Sequence, residues 1–434
     1  MRGCGADSAI GWFAHQLWRR PALHAGALIA FAALLPSTSL AQSFSPSGLG
    51  QAYGLNLLGA NYTGAGQTIA LIEVGGSLGT GNQSNLYNDV SSFDSDYGLP
   101  ALTPGSSLKL VNQSGGTGSN LPAYYSGWAL ETTLDVEYAH AIAPKANIEV
   151  VEASLGSNDY QTIQNIYTAT SYAASSTGGK ASVVSLSLGI TPEDPNSDQY
   201  FTAGASPGVV FVASTGDSGS AGGVSTPSSD PYVVAVGGTT LNVTGSGNYS
   251  SETAWSGSGG GVSSYEPRPA YQDVVPADSS TPGNRTVPDV AFDANPSTGV
   301  AVVYDGSTIA VGGTSVGAPA WAGLFALVDQ ELAAKGKPLL SSLSALEAMY
   351  ATYDTAAYSN VFHNIVGGSD GSYSATGGYS EVTGLGSPIA NDLVPYLSGQ
   401  MTLSELTPTP EPSCLAMVFV GLPLLARRRR GARR

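Results

Sequence analysis

Compact runs of Val, Ile, Leu and Ala recur along the chain at Thr68–Val74, Ala146–Ala153, Ser182–Leu188, Val209–Ser214 and Tyr232–Val236. Each is short and closely apolar, which predicts strands buried on both faces. Between some of them the apolar spacing becomes helical, over Ala129–Ala143 and Tyr160–Ala174. A last amphipathic helix is expected from near Ser315 through Leu332. Apolar strands alternating with helices predict an α/β fold with a mainly parallel sheet covered on both faces. From Ser43 to about Ser398 no linker, charge run or repeat divides the sequence, so one large domain is expected. In such folds reactive groups gather at the carboxyl ends of the strands and at helix N-termini.

The two ends do not follow this pattern. Residues 1–41 read as an export signal: Arg19 and Arg20 precede an apolar run from Ala22 to Leu35, and Ser39-Leu40-Ala41 supplies small residues for cleavage. At the other end, Pro410-Glu411-Pro412 leads into an apolar stretch, Leu415 to Ala426, and a cluster of arginines from Arg427 to Arg434. Positive charge beyond an apolar run favours a cytoplasmic end with the body outside. At about 12 residues the run is short for a stable membrane helix. The expected organisation is therefore a signal at 1–41, a folded body at 42–400, a short linker at 401–409 and an anchor or sorting segment at 410–434.

Setting the ends aside changes the charge. Of 16 Lys and Arg only seven fall within residues 42–409, against 30 of the 32 Asp and Glu, so this body carries about −23. Such a surface is a poor match for nucleic acid or anionic lipid. Both cysteines, Cys4 and Cys414, lie in the ends, which leaves the body without a disulfide framework.

Three segments carry candidate chemistry. In Gly312-Gly313-Thr314-Ser315-Val316-Gly317 two glycines allow a tight backbone approach, and a serine then opens a helix. That serine is either a nucleophile facing a cleft or an ordinary N-cap. Glu131 and Asp135 stand four apart, so they share one face of a helix flanked by Ala129, Leu130, Leu134 and Ile142. Held together in a poorly solvated place, such a pair cannot easily ionise twice, and it can act as a general base in acid. On an exposed face it would be two solvated carboxylates. Asp217 lies in a glycine-flanked turn directly after an apolar strand, where it either shapes the turn or, when protonated, donates to an oxyanion. Of four histidines only His140 and His363 fall outside the leader, and neither sits in the context of a Ser-His-Asp triad.

These segments, taken with Ile72-Glu73-Val74-Gly75-Gly76, Ala141-Ile142-Ala143-Pro144, Val236-Gly237-Gly238-Thr239 and Val287-Pro288-Asp289-Val290-Ala291, resemble the sedolisin (serine-carboxyl peptidase) family over residues 43–398. The resemblance implies a subtilisin-like fold and a secreted endopeptidase that hydrolyses protein or peptide substrates in acid. It assigns Ser315 as nucleophile, Glu131 as base, Asp135 as the partner that orients it, Asp217 as oxyanion donor and Glu73 as an extension of the hydrogen-bond chain behind the base. The C-terminal segment is similar to a PEP-CTERM sorting signal, which implies export and sorting machinery as partners, delivery to the surface or matrix, and membrane contact only through that tail. Gly216-Asp217-Ser218-Gly219 also looks like the trypsin-type nucleophile segment, but the accompanying histidine segment and disulfides are missing.

The fit to the family has three departures. Its members bind calcium near the C-terminal end through two aspartates and backbone carbonyls. The matching positions here are Asn364, Ile365, Gly378 and Ser380, and two neutral side chains replace charged ones, which weakens any site for a hard cation. The family usually carries a long pro-domain, whereas here the body begins near Phe44, so unaided folding or help from another chain is expected. Leu188 stands where many relatives have a tryptophan lining the substrate cleft. The competing readings are a non-catalytic surface module that keeps the fold and a neutral-pH subtilase.

Overall fold

The computed structural model describes residues 28–30, 43–81, 83–205 and 208–406. The export signal, apart from Leu28–Ala30, and the C-terminal sorting segment lie outside the described residues. Leu28–Ala30 is a strand paired antiparallel with Gly189–Thr191.

The apolar runs form a central sheet in the expected places. Its strands are β1 (Thr68–Val74), β2 (Leu108–Asn112), β3 (Asn147–Ala153), β4 (Val183–Leu186), β5 (Val210–Ser214), β6 (Val233–Val243), β7 (Tyr249–Ala254), β8 (Val290–Asp293), β9 (Val366–Ser369) and β10 (Ser374–Thr376). The order is β10-β9-β7-β6-β5-β4-β1-β3-β2, with β8 also paired to β6. From β6 to β2 every neighbouring pair is parallel, and β7 turns back antiparallel on β6. β1 sits between β3 and β4 although the chain reaches both later, so the order reverses about β1. That is where an open α/β sheet leaves a crevice at its carboxyl edge.

Three helices cover the middle of the sheet: α1 (Ala129–Ile142), α2 (Asp159–Ala174) and α3 (Gly317–Ala334). Ile69 and Leu71 of β1 enter one apolar cluster with Leu134 and Val136 of α1 and Trp321, Leu324 and Phe325 of α3. Ala70, Ile72 and Val74, one residue out of phase, enter a second cluster with Ile163, Ile166 and Tyr167 of α2. This period-two split is what a strand buried on both faces requires.

Two expectations need correction. The helix opening near Ser315 is neither amphipathic over most of its length nor the last one. A 3-10 turn spans Thr314–Val316, α3 is buried on every side from Gly317 to Asp329, and helices at Ser342–Tyr350 and Ala390–Leu397 follow. A helix that is apolar all round belongs in the centre of a core, not on its surface. The body also continues past residue 400: Leu403–Leu406 is helical and Leu406 is 4% exposed in the main apolar cluster, so the expected boundary at 400 falls inside folded structure.

Candidate active site

Almost every residue of α1 is buried, including Glu131, Thr132, Thr133, Asp135, Glu137 and His140. A helix cannot bury that many polar groups without partners. At its C-terminal end the partners are structural. His140 is 3.1 Å from Asp94 and 2.9 Å from the Pro100 carbonyl, and Glu137 accepts from the Val303 N–H at 3.1 Å. At its N-terminal end they come from the carboxyl edge of the sheet.

Glu73, near the end of β1, is fully buried. Its Oε2 accepts from the Trp128 indole N–H at 2.7 Å and from the Thr132 hydroxyl at 3.1 Å. Its carboxyl also meets that of Asp135. Asp135 Oδ1 accepts from the Ser187 hydroxyl, just beyond β4, at 3.0 Å. Glu73 Oε1 and Asp135 Oδ2 have no other donor among the described residues, so the contact between the two acids must carry a proton. Burial is the main force raising both pKa values, with the neighbouring carboxylates adding to it at Asp135.

Glu131 lies one turn before Asp135 and is 4% exposed. Burial raises its pKa well above the carboxylate range; the Ser315 hydroxyl opposes this, and the charges of Glu73 and Asp217 add to it. Ser315 is fully buried beside it. Neither Ser315 Oγ nor Glu131 Oε1 closes a short hydrogen bond among the described residues, which leaves the hydroxyl free to swing toward a reacting carbon. Ser315 is not an N-cap: α3 starts from Val316 without a side-chain cap, and the 3-10 turn before it hangs on Gly313 at φ 132°, a conformation that favours glycine.

Asp217 follows β5. Its Oδ1 accepts from the Thr314 N–H at 2.7 Å and from the Thr314 hydroxyl at 2.8 Å. The same hydroxyl accepts from the Gly216 N–H at 3.1 Å. Oδ2 is shut off from solvent and unpartnered among the described residues. Burial pushes this carboxyl up to about 6 against the two Thr314 bonds, so in acid the free oxygen holds a proton it can donate. The adjoining cleft is narrow, about 30 Å³, and is lined by Leu188, Gly189, Thr191, Asp217 and Gly259.

The structure thus brings Glu73, Glu131, Asp135, Asp217 and Ser315 to one place. The two described histidines are elsewhere. His140 is nine residues beyond Glu131, about 13 Å along the helix, and His363 stacks on Tyr249 with ring centroids 3.5 Å apart. Asp289, in another of the motif segments, is structural: it pairs with buried Arg285 at 2.8 Å and accepts from the Ala235 N–H and the Tyr350 hydroxyl. Sequence reasoning missed Trp128, Thr132, Ser187 and Thr314. Trp128, Thr132 and Asp135 stand at i, i+4 and i+7, a spacing that signals one helix face.

The proposed calcium ligands are arranged differently. Asn364 Oδ1 accepts from the Gly378 N–H at 2.7 Å. The Ser380 hydroxyl lies 2.9 Å from that of Thr383 and accepts from the Thr383 N–H at 3.2 Å. The Tyr358 hydroxyl donates to the Leu385 carbonyl at 2.9 Å and lies 3.3 Å from Gly378 O and 3.5 Å from Asn364 Oδ1. A neutral hydroxyl therefore stands where these oxygens converge. Asp370 caps its own turn by accepting from the Ser372 and Tyr373 N–H groups. Among the described residues no cluster of three or more His, Cys, Asp or Glu is placed to hold a metal. The side chains of this set are neutral, and those of Asn364 and Ser380 already accept from neighbouring N–H groups, so it does not fit calcium.

Comparison with known proteins agrees with the fold. The profile of the subtilase family matches residues 120–373. Kumamolisin from Bacillus sp. (strain MN-32) is 35% identical over 82% of this chain and 64% of its own length. Sedolisin from Pseudomonas sp. (strain 101) is 30% identical over 75% of this chain and 57% of its own. The chain thus spans about three fifths of the length of these curated relatives. The solved structure of Pseudomonas sedolisin, a serine-carboxyl proteinase complexed with two molecules of pseudo-iodotyrostatin, superposes with a TM-score of 0.68 at 27% identity, covering 83% of this chain and 99% of that one.

Proposed function

Because this chain belongs to the subtilase family, on its sedolisin branch, we propose that it is a serine-type endopeptidase that hydrolyses peptide bonds in proteins at acidic pH. The observation that carries this reading is the buried Ser315 hydroxyl beside the Glu131 carboxyl, with the free Asp217 oxygen in the same site and, among the described residues, no histidine there.

Ser315 Oγ attacks the carbonyl carbon while Glu131 takes its proton. Asp217, held by Thr314 and protonated in acid, donates from Oδ2 to the oxyanion. Glu131 then passes the proton to the leaving amine, and water releases the acyl group by the reverse sequence. Asp135 and Glu73 share a proton behind Glu131 and keep a second negative charge from building up beside the base. Each of these steps is carried by side chains of the site, and the segment around Asn364 and Ser380 is held by its own hydrogen bonds. The sequence ends carry the remaining proposals: export through residues 1–41 and sorting or anchoring through 410–434 place the activity at the cell surface, in the matrix or in the medium. Among the described residues no helix is long and apolar enough to cross a membrane.

The test is cleavage of a denatured protein by the full chain from pH 3 to 8, beside Ser315→Ala. Activity that peaks in acid and vanishes in the variant supports the reading. A folded wild-type chain that is inert throughout this range overturns it in favour of a non-catalytic surface module.

A further inference from the structure

Resting on that reading, we infer that Trp128 is a positioning residue of the site. Its indole N–H, with the Thr132 hydroxyl one turn on, holds the negative charge of the Glu73–Asp135 pair on Glu73 Oε2, so that the proton resides on Asp135 and the carboxyl next to the base stays neutral.

The geometry is that of a grip. Trp128, at the N-cap of α1, and Thr132 and Asp135 within the helix fall at i, i+4 and i+7, and all three reach the same carboxyl of β1. Two of them donate to one oxygen, which makes that oxygen the favoured seat of charge. The third is an acid, and it meets Glu73 with a proton between them. Other titratable groups face this unit: Glu131 from α1, Asp217 from the loop after β5, and Glu152, the register partner of Glu73 on β3. Glu152 is itself engaged by the N–H and hydroxyl of Ser77 at 2.8 and 2.7 Å. The groups acting most strongly on these carboxyls include no cation, so the two neutral donors do the work a lysine or arginine would otherwise do.

Trp128 also answers the departure at Leu188. Leu188 is 1% exposed and packs in the same apolar cluster as Trp128. The indole therefore approaches Glu73 from the start of α1, with leucine filling the position beyond β4.

Losing the Trp128 N–H moves the proton from Asp135 toward Glu73 and leaves a charged Asp135 one helical turn from Glu131. The base then holds its own proton to higher pH. The experiment measures kcat and KM of the full chain against pH for Trp128→Phe, Thr132→Val and Thr132→Ser, with Ser315→Ala as blank and thermal unfolding as a check on folding. The expected result is an acid limb moved upward by about half to one pH unit in W128F and T132V, with kcat reduced more than KM is raised. T132S, which keeps the hydroxyl, returns the limb toward its original position. T132V is close to isosteric and carries the test if W128F fails to fold. A limb that stays in place while activity falls evenly at every pH overturns the assignment. If Ser315→Ala cleaves as the wild type does, it is the functional reading that has failed; if that variant is inert and the limbs do not move, only the role of Trp128 has.

Discussion

The N–H and the hydroxyl of Thr314 both end on one oxygen of Asp217, at 2.7 and 2.8 Å, and leave the other oxygen bare. Thr314 immediately precedes Ser315, so the nucleophile and the proposed oxyanion donor are set by adjacent residues. The two bonds make Oδ1 the acceptor side, which puts any proton of Asp217 on Oδ2. Asp217→Ala should lower kcat by about 10²–10³-fold. Asp217→Asn should retain more activity, because its amide nitrogen takes the Oδ2 place and donates at every pH. With the carboxyl at about 6, the wild type loses its donor as pH rises through that value. D217N should therefore keep its remaining activity at pH 7–8, and a pH–kcat profile of both variants reads this directly. An alkaline limb identical in wild type and D217N would show that Asp217 does not supply the proton.

Glu131→Gln keeps the size of the side chain and removes its ability to take a proton. Activity should fall by about 10²–10⁴-fold across the whole pH range, with KM little changed. Because burial raises the Glu131 pKa well above its ordinary value, the wild-type kcat should rise with pH along its acid limb as Glu131 deprotonates. A Glu131→Gln chain with near wild-type kcat would remove Glu131 from the role of base.

Much of this site was legible from spacing. Glu131 and Asp135 four apart on one helix face left a buried pair and a solvated one both open, and the burial of α1 decides for the first; Asp217 after an apolar run pointed to a strand-end turn. Ser315 after two glycines announced a tight entry into a helix. What spacing could not reveal was partnership across the sheet. Glu73 pairs with Asp135 because β1 lies between β3 and β4 at the reversal of strand order, and only the assembled sheet puts it under α1. Ser187 and Thr314 were invisible for the same reason. Trp128 and Thr132 were readable in principle, since their period matches that of Asp135, yet apolar burial explains a tryptophan equally well. The buried character of α3 was underestimated because its polar residues, Gln330 and Glu331, cluster in the final turns, and a helix read from its end looks amphipathic.

The segment around Asn364 should behave as a self-sufficient turn. The Asn364 and Ser380 oxygens accept from the Gly378 and Thr383 N–H groups, and the Tyr358 hydroxyl, donating to the Leu385 carbonyl, occupies the space beside them. Differential scanning calorimetry with millimolar calcium or with a chelator in excess should give the same Tm within about 1 °C. A bound ion at 100 times its Kd would instead add about 2.7 kcal/mol, a shift of several degrees. Asn364→Asp with Ser380→Asp should introduce calcium-dependent stabilisation only when Tyr358→Phe also removes the central hydroxyl. A calcium-dependent Tm in the wild-type chain would refute the ion-free turn.

Stability should be greatest in acid and decline toward neutral pH, and Asp329 isolates the effect. It lies on α3, is fully buried, and accepts from the Leu340 N–H at 2.8 Å through Oδ1 while Oδ2 has no partner among the described residues. Burial pushes its pKa up to about 7. In the unfolded chain it titrates near 3.9. The native state therefore binds the proton more tightly, and the stability this confers is complete below about pH 4 and lost as pH rises through about 7. Asp329→Asn keeps the acceptor for Leu340 and removes the titration. The variant should match the wild type near pH 4 and exceed it at pH 8 by on the order of 2–4 kcal/mol, because three units correspond to about 4 kcal/mol. Denaturant unfolding of Ser315→Ala, with and without Asp329→Asn, measures this without self-cleavage. Equal stabilities at pH 8 would mean that solvent reaches the carboxylate and that acid stability arises from the other buried acids.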